Sequence, residues 1–252
     1  MRRFETVCLL LFALAALGFS VAQSVPTTTH APAGVTRETV PSIFIPPLAN
    51  SPFTATVVME LLQTLEDGGT VTLYNQRVVM RDGAGRIFQE RRTLVPKNGQ
   101  QQPEPWRVEI SDPATHQKYF CEMQRRVCQL NEYSAPTSFE LAPAGRLPEG
   151  RGDLRREGLG TTVVSGVEAE GTRETTVLNP GTAGNDRPLS ITREFWYSRR
   201  LGINLVEKRV DPRHGAVTIT VSNISLSELD AAYFAVPAGF TVMKQPTDKK
   251  VP

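Results

Sequence analysis

The stretch "FTATVVMELLQTLEDGGTVTLYNQRVVMR", residues 53–81, decides the fold class. Both halves are rich in β-branched and aromatic residues, and "EDGG" (66–69) separates them with the residues of a tight hairpin turn. A second turn, "DGAG" (82–85), leads into "RIFQERRTLV". Three strands joined by short turns predict an antiparallel meander.

The same pattern continues along the chain. Further strands are expected in "WRVEISD", "KYFCEMQ", "RRVCQLNEY", "LSITREFWYS", "INLVEKRVD" and "AVTITVSNI". Two links, "DPATH" (112–116) and "DPRHG" (211–215), have the Asp-Pro start of a type I turn. The one helix-like piece is "SLSELDAAYF", where Ser225 is the expected N-cap and Glu228 would complete a capping box. The predicted fold class is mainly β, with one or two short helical turns.

The N-terminal "MRRFETVCLLLFALAALGFSVAQS" has the features of a signal peptide. Arg2 and Arg3 precede an apolar run, and small residues up to Ala22 suit a signal peptidase. We expect cleavage after Ala22 and a secreted or periplasmic protein. The alternative is a retained N-terminal anchor, although the apolar run is short for a bilayer. No transmembrane segment is expected in the mature chain.

Three segments are expected from the changes in composition. Residues 1–22 form the signal peptide, and residues 23–52 form a Pro/Thr-rich flexible leader. Within that leader, "IFIPPL" (43–48) is apolar enough to dock on the domain as an extended strip. Residues 53–252 are expected to form a single antiparallel β domain, with a long Gly/Pro-rich loop at about 134–158.

The charge of the chain gives no reason to expect a nucleic acid partner. The formal net charge is +2 over 252 residues, and removal of the signal peptide takes away two Arg and one Glu, which leaves +1. The arginines are scattered in pairs, such as Arg91–Arg92 and Arg199–Arg200, rather than gathered in a basic run. A solvated strand edge or loop is the expected place for each pair.

Cys121 and Cys128, the cysteines outside the N-terminal segment, are predicted to form a disulfide. Six intervening residues are too many for a zinc knuckle or a thioredoxin-type pair. If the strands turn about Gln124 and Arg125, the two cysteines face each other across a hairpin at a distance that a disulfide can bridge. An exported protein meets oxidising conditions. Two free thiols or a metal site are the alternatives.

No catalytic constellation is recognisable, so we expect no enzyme, no cofactor and no metal. "GxSxG", "HExxH" and Walker-type motifs are missing from the sequence. His116 and His214 lie in the two Asp-Pro turns, where an imidazole is poorly placed for catalysis, although the two turns could meet at one end of a sheet. Glu168, Glu170, Glu174 and Glu194 alternate with other residues as in a solvent-facing row.

The densest aromatic cluster is "EFWYS" (194–198). Along a strand, Phe195 and Tyr197 point to one face and Trp196 to the other. Trp196 is interpreted either as part of the packed structure or as the wall of a ligand site.

The C-terminal third, "ITREFWYSRRLGINLVEKRVDPRHGAVTITVSNISLSELDAAYFAVPAGFTV", resembles the periplasmic lipoprotein-carrier superfamily of LolA-like and LppX-like proteins. The matching residues are Trp196, Leu201, Gly202, Asp211, Gly215, Asn223, Ile224, Leu229, Asp230, Phe234, Pro237, Gly239 and Phe240. The ending is also similar to that of uncharacterised exported bacterial proteins. The resemblance implies a curved antiparallel sheet, a half-barrel or open barrel, whose concave apolar face holds acyl chains or docks another protein.

Two departures from the carriers are visible in the sequence. Pro-rich "VPSIFIPPLANSP" stands where carriers begin with an amphipathic helix, and helical lids are hard to find. The resemblance therefore leads to two functional hypotheses. A third hypothesis, a hydrolytic enzyme, has no motif in the sequence to support it. The first is a non-catalytic exported protein that binds a lipid or acyl chain. The second is an envelope interaction or scaffold module with a filled core.

The first hypothesis assigns the ligand site to apolar residues of the predicted strands. They are Val57, Met59, Leu61, Val71, Leu73, Phe120 and Trp196.

Overall fold

The computed structural model describes residues 36–37, 43–98, 102, 104–135 and 141–244. The predicted signal peptide, most of the predicted leader and the last eight residues, 245–252, lie outside the described residues. The strands are β1 Thr36–Arg37, β2 Phe53–Thr64, β3 Thr70–Arg81, β4 Ile87–Arg91, β5 Thr93–Pro96, β6 Arg107–Asp112, β7 Gln117–Glu122, β8 Val127–Glu132, β9 Gly145–Arg146, β10 Gly152–Val164, β11 Val167–Leu178, β12 Leu189–Ser198, β13 Ile203–Asp211, β14 Gly215–Ser225 and β15 Thr241–Lys244.

The strands form one large open sheet, which confirms the predicted fold class. Its order is β15-β8-β7-β6-β4-β3-β2-β14-β13-β12-β11-β10-β9, with β5 beside β3 and β1 beside β5. All described pairs are antiparallel except β15, which lies parallel to β8. The long hairpin of β2 and β3 is at the centre, where β2 also pairs with β14 and so joins the two ends of the chain's β region.

Most of the predicted turns lie where the sequence indicated them. Gly68 occupies a positive φ of 83° in the β2–β3 turn, as glycine can without a steric penalty. In the turn between β13 and β14, the carboxylate of Asp211 accepts a hydrogen bond from the amide of Arg213 (3.1 Å). This bond is the one through which Asp favours such turns.

The Gly-rich segment around residue 158 differs from the prediction of a loop. Strand β10 begins at Gly152 and continues to Val164, with a bulge between Gly158 and Gly160. Ser165 and Gly166, with φ of 50° and 80°, then form a two-residue hairpin turn to β11. In the sequence, the Ser165–Gly166 pair indicates this hairpin turn.

The helix-like piece is shorter than its capping pattern suggested. A single 3-10 turn covers Ala231–Phe234, and its N-cap is Asp230, whose side chain accepts from the amide of Ala232 (2.9 Å). The prediction of Ser225 as N-cap is wrong, because Ser225 is the last residue of β14. The Glu228 carboxylate instead accepts the amide of Gly83 (3.0 Å) in the turn after β3.

Two hydrophobic clusters hold the sheet together. The main cluster contains Ile43, Ile45, Phe53, Ala55, Val57, Met59, Val79, Ile87, Leu94, Val167, Ala169, Leu201, Ile203, Leu205, Ile219 and Val221. A second cluster joins Val108, Ile110, Cys121, Cys128 and Phe234, so the C-terminal 3-10 turn packs on strands β6 to β8. Ile43 and Ile45 lie in the main cluster, and the strip that contains them docks as its apolar composition suggested.

Candidate functional site

The seven predicted ligand residues divide by position in the sheet. Val57 and Met59 are fully buried in the main cluster, and Leu73 and Trp196 pack against it. Leu61 lies opposite Leu73 in the β2–β3 pair, and Val71 is 37% exposed near the hairpin end. Phe120 lies outside this group on β7, between two cationic side chains. The structure thus brings four of the seven together, within packed core.

None of the seven residues lines either of two cavities found among the described residues. The first, of about 340 Å³, is lined by Leu48, Ala49, Asn50, Ser51, Pro52, Arg200, Leu201 and Leu226. The second, of about 220 Å³, is lined by Arg173, Thr192, Glu194, Lys208 and Val210. Each is bordered by charged or backbone polar groups. Neither has the uniformly apolar wall that an acyl chain needs.

A free strand edge lies at the β10 end of the sheet. On its outer side, β10 pairs with β9 only at Asp153 and Leu154. Among the described residues, 157–164 have no strand partner on that side. Val163 in this segment is 68% exposed, the highest exposure among the large hydrophobic residues of the described chain. An unpaired edge with an exposed apolar side chain is a place where another strand can add.

Charges of alternating sign form a row that ends at this edge. In register, Glu157 of β10 lies opposite Arg173 of β11, which lies opposite Glu194 of β12. The Arg173 guanidinium joins both carboxylates, at 2.8 Å to Glu157 and 2.9 Å to Glu194. Lys208 of β13 follows in the same row. Of the four glutamates predicted to form a solvent-facing row, Glu194 is therefore an ion-pair partner, as are Glu170 with Arg199 and Glu174 with Arg156.

A second charged cluster centres on Glu109 of β6, which is 4% exposed. Arg91 of β4 donates two hydrogen bonds to this carboxylate, at 3.0 and 3.2 Å, and Arg107 donates one at 2.6 Å. Lys118 of β7 lies 3.7 Å from it. Burial alone would raise the pKa of Glu109, but the hydrogen bond from Arg91 and the three positive charges outweigh it, so the pKa lies below its ordinary value.

The cations of this cluster also surround an aromatic ring. The Arg107 guanidinium lies 5.0 Å and the Lys118 ammonium 4.7 Å from the centroid of Phe120. The prediction that Arg91–Arg92 occupies a solvated edge is wrong, because Arg91 is held by Glu109 and Arg92 by Glu90 (3.0 Å). In "WRVEISD", Arg107 and Glu109 are two positions apart, so a strand places them on the same face. This spacing was the signal in the sequence for the ion pair between them.

The two histidines are placed in turns, as the sequence indicated. His116 adopts a positive φ of 54° in the turn between β6 and β7. His214 lies 3.4 Å from Asp211, whose carboxylate also binds Arg213 at 2.7 Å. The hydrogen bond from Arg213 holds the pKa of Asp211 well below its usual range. In the part of the chain that the structure describes, no group of three potential metal ligands comes together.

The cysteines form the predicted disulfide. Cys121 of β7 lies directly opposite Cys128 of β8, and a bond joins their sulfurs. Both side chains are fully buried in the second cluster, so the bond joins β7 to β8 and its sulfurs pack within that cluster.

No helix within the described ranges has the length and apolarity to span a membrane.

Comparison with known proteins returns similarity of structure and none of sequence. No family model and no curated protein matches the chain. An uncharacterized conserved protein from Thermus thermophilus is 12% identical, over 78% of this chain and 91% of that one, with a TM-score of 0.40. MucB in the MucA/MucB complex of Pseudomonas aeruginosa is 13% identical, over 75% and 56%, with a TM-score of 0.38.

Lipoprotein LppX of Mycobacterium tuberculosis is 9% identical, over 72% of this chain and 89% of that one, with a TM-score of 0.33. It is of the LppX-like kind that the C-terminal third of the sequence resembles. These similarities assign no ligand, partner or activity to the chain.

Proposed function

We propose that the chain is a non-catalytic, exported protein of the cell envelope that binds a partner protein at the free edge of its sheet. The observation that carries the proposal is the filled interior. Val57 and Met59, which an apolar ligand would have to touch, have no exposed surface. The strip that contains Ile43 and Ile45 packs in the same cluster and helps to fill it.

The outer edge of β10 favours an extended segment of a partner as the bound element. Such a segment would continue the sheet through backbone hydrogen bonds along residues 157–164. Val163 offers it an apolar contact. The row of charges ends at the edge with Glu157. The partner residue that lies opposite Glu157 is therefore expected to be Lys or Arg.

Site-specific cross-linking in the host tests this proposal. A photo-reactive amino acid is placed in turn at residues 161, 162, 163 and 164, and the partner residues that it captures are identified by mass spectrometry. Strand addition requires that the captured residue moves by one position for each step along the edge. Captures in no consistent register, or none at all, would overturn edge binding.

Charge reversal supplies the matched comparison. Glu157→Lys places like charge opposite the expected basic residue and should lower cross-linking from position 163 about fivefold. Glu149→Lys makes the same change at an exposed site in the connection before β10, outside residues 157–164, and should leave it unchanged. Native mass spectrometry of protein purified from the envelope should give the polypeptide mass alone. A co-purifying lipid would contradict the proposal and favour the apolar-ligand hypothesis.

A further inference from the structure

We propose that Arg107 and Lys118, at the Glu109 cluster, bind an oxyanion of the phosphate class. The inference does not depend on the function proposed for the β10 edge. It rests on three observations: an excess of positive charge, an aromatic ring that holds two of the cations in place, and buried hydrogen-bonding atoms without a partner.

The first observation is charge. Three cations, Arg91, Arg107 and Lys118, converge on a single carboxylate, so these four side chains together carry a net charge of +2. A structural ion pair needs one cation for Glu109, and the bidentate contact from Arg91 already supplies it. The other two cations are the partly open ones, with exposed side-chain fractions of 30% for Arg107 and 29% for Lys118.

The second observation is preorganisation by Phe120. The ring centroid lies 5.0 Å from the Arg107 guanidinium and 4.7 Å from the Lys118 ammonium, so contact with one ring restricts the motion of both cations. Register places all of these groups on one sheet face, because Glu109 lies opposite Phe120 and Ser111 lies opposite Lys118. Two cations held against the same ring before binding cost a ligand less conformational entropy than two mobile ones.

The third observation is unmet hydrogen bonding. The Nε of Arg107 is buried and has no hydrogen-bond partner among the described residues. The same holds for Oε1 of Gln89, which lies opposite Glu109 in the neighbouring strand. A hydrogen phosphate carries oxygens that accept from a guanidinium and a hydroxyl that donates to an amide oxygen. A carboxylate ligand could accept from Arg107 but has no hydroxyl to donate to Gln89, so the pair of groups favours hydrogen phosphate.

The occupant can be free phosphate or the phosphate headgroup of a lipid. Two probes separate these sources: inorganic phosphate, and dihexanoyl phosphatidic acid kept below its micellar concentration. Binding is followed by isothermal titration calorimetry and by amide chemical shifts of residues 107–120. Saturable binding of both probes supports the site and shows that it accepts a lipid headgroup. Binding of phosphate alone supports a site that accepts only the free ion. Binding of neither overturns the proposal.

Lys118→Met keeps the side-chain stem and removes the charge, and should weaken phosphate binding about tenfold. Lys208→Met removes a cation elsewhere on the sheet and should change it less than about twofold. Equal weakening by both variants would mean nonspecific attraction and overturn the site. Glu109→Gln removes the internal competitor and should tighten binding about fivefold. If that variant fails to fold, the two lysine variants still decide.

Discussion

The Arg81 guanidinium is fully buried, and it is tied to Ser51 by two hydrogen bonds, from Nε to the carbonyl and from Nη2 to the hydroxyl, both at 2.9 Å. A third bond of 2.9 Å joins Nη1 to the carbonyl of Pro46. Burial lowers the pKa of Arg81 to about 10, which still leaves it protonated at neutral pH. One side chain of β3 thereby holds the segment that precedes β2.

Replacement of Arg81 should be strongly destabilising. Arg81→Met removes three hydrogen bonds: the carbonyl and hydroxyl of Ser51 lose their donor, and the carbonyl of Pro46 keeps only the bond from the Leu48 amide. We expect a loss of about 3–5 kcal/mol in the free energy of unfolding, measured by urea denaturation. Arg209→Met, at an exposed arginine, should cost less than about 0.5 kcal/mol. Amide exchange at residues 46–51 should also accelerate in Arg81→Met. Unchanged exchange there would show that the contacts do not hold this segment.

The filled interior predicts different outcomes for two of the residues that the sequence assigns to a ligand site. Met59→Ala should lower the free energy of unfolding by about 2–5 kcal/mol, because it opens a cavity at a fully buried position. Val71→Ala, at a half-exposed position, should cost less than about 1 kcal/mol. Urea denaturation measures both. Similar, small losses would indicate that Met59 faces a space large enough to hold a ligand.

The part of the fold that sequence could predict is the part with local turn chemistry. Asp-Gly and Asp-Pro pairs located the hairpins, and the spacing of Cys121 and Cys128 located a cross-strand bond. The first half of β10, from Gly152 to Gly158, was predicted as loop because its glycines are typical of one, whereas pairing with β11 holds the segment extended. Parallel pairing of β15 with β8 brings together residues far apart in sequence, for which no local signal exists.

The candidate site was harder to predict because its interactions are long-range. Alternation on β3 does place Arg81 on the same face as Val79, but alternation alone does not distinguish a buried arginine from one at an exposed rim. The cations around Glu109 come from three strands, and only the register of β4, β6 and β7 joins them. Burial of charge thus depends on tertiary packing that no single segment encodes.

The disulfide predicts a defined loss of stability. Because the closed loop has eight residues, the double variant Cys121→Ala/Cys128→Ala should lose about 2–3 kcal/mol by the loop-entropy relation. Alanine avoids burying two hydroxyl groups at these fully buried positions. Alkylation of the unfolded, non-reduced protein followed by mass spectrometry should label neither cysteine. Labelling of both would mean that the bond does not form in the protein.

The buried Glu109 carboxylate predicts a dependence of stability on pH. Its pKa in the folded state is lowered from 4.5, because the hydrogen bond from Arg91 and the charges of Arg91, Arg107 and Lys118 outweigh burial. A lowered folded-state pKa means that the unfolded state binds the proton more readily. The contribution is therefore complete above the unfolded value and is lost as the pH falls through the folded value.

Glu109→Gln, which cannot titrate, isolates this contribution. At pH 7 we expect the variant to be less stable than the natural protein by about 3–5 kcal/mol, because three cations lose their buried counter-ion. Between about pH 7 and about pH 5.5 the difference should stay constant, and below about pH 4.5 it should shrink as Glu109 becomes protonated in the natural protein. Urea denaturation at each pH measures it, with the exposed Glu66→Gln expected to differ by less than about 0.5 kcal/mol at pH 7. A difference that does not change down to about pH 3 would show that Glu109 is not held as a carboxylate by these cations.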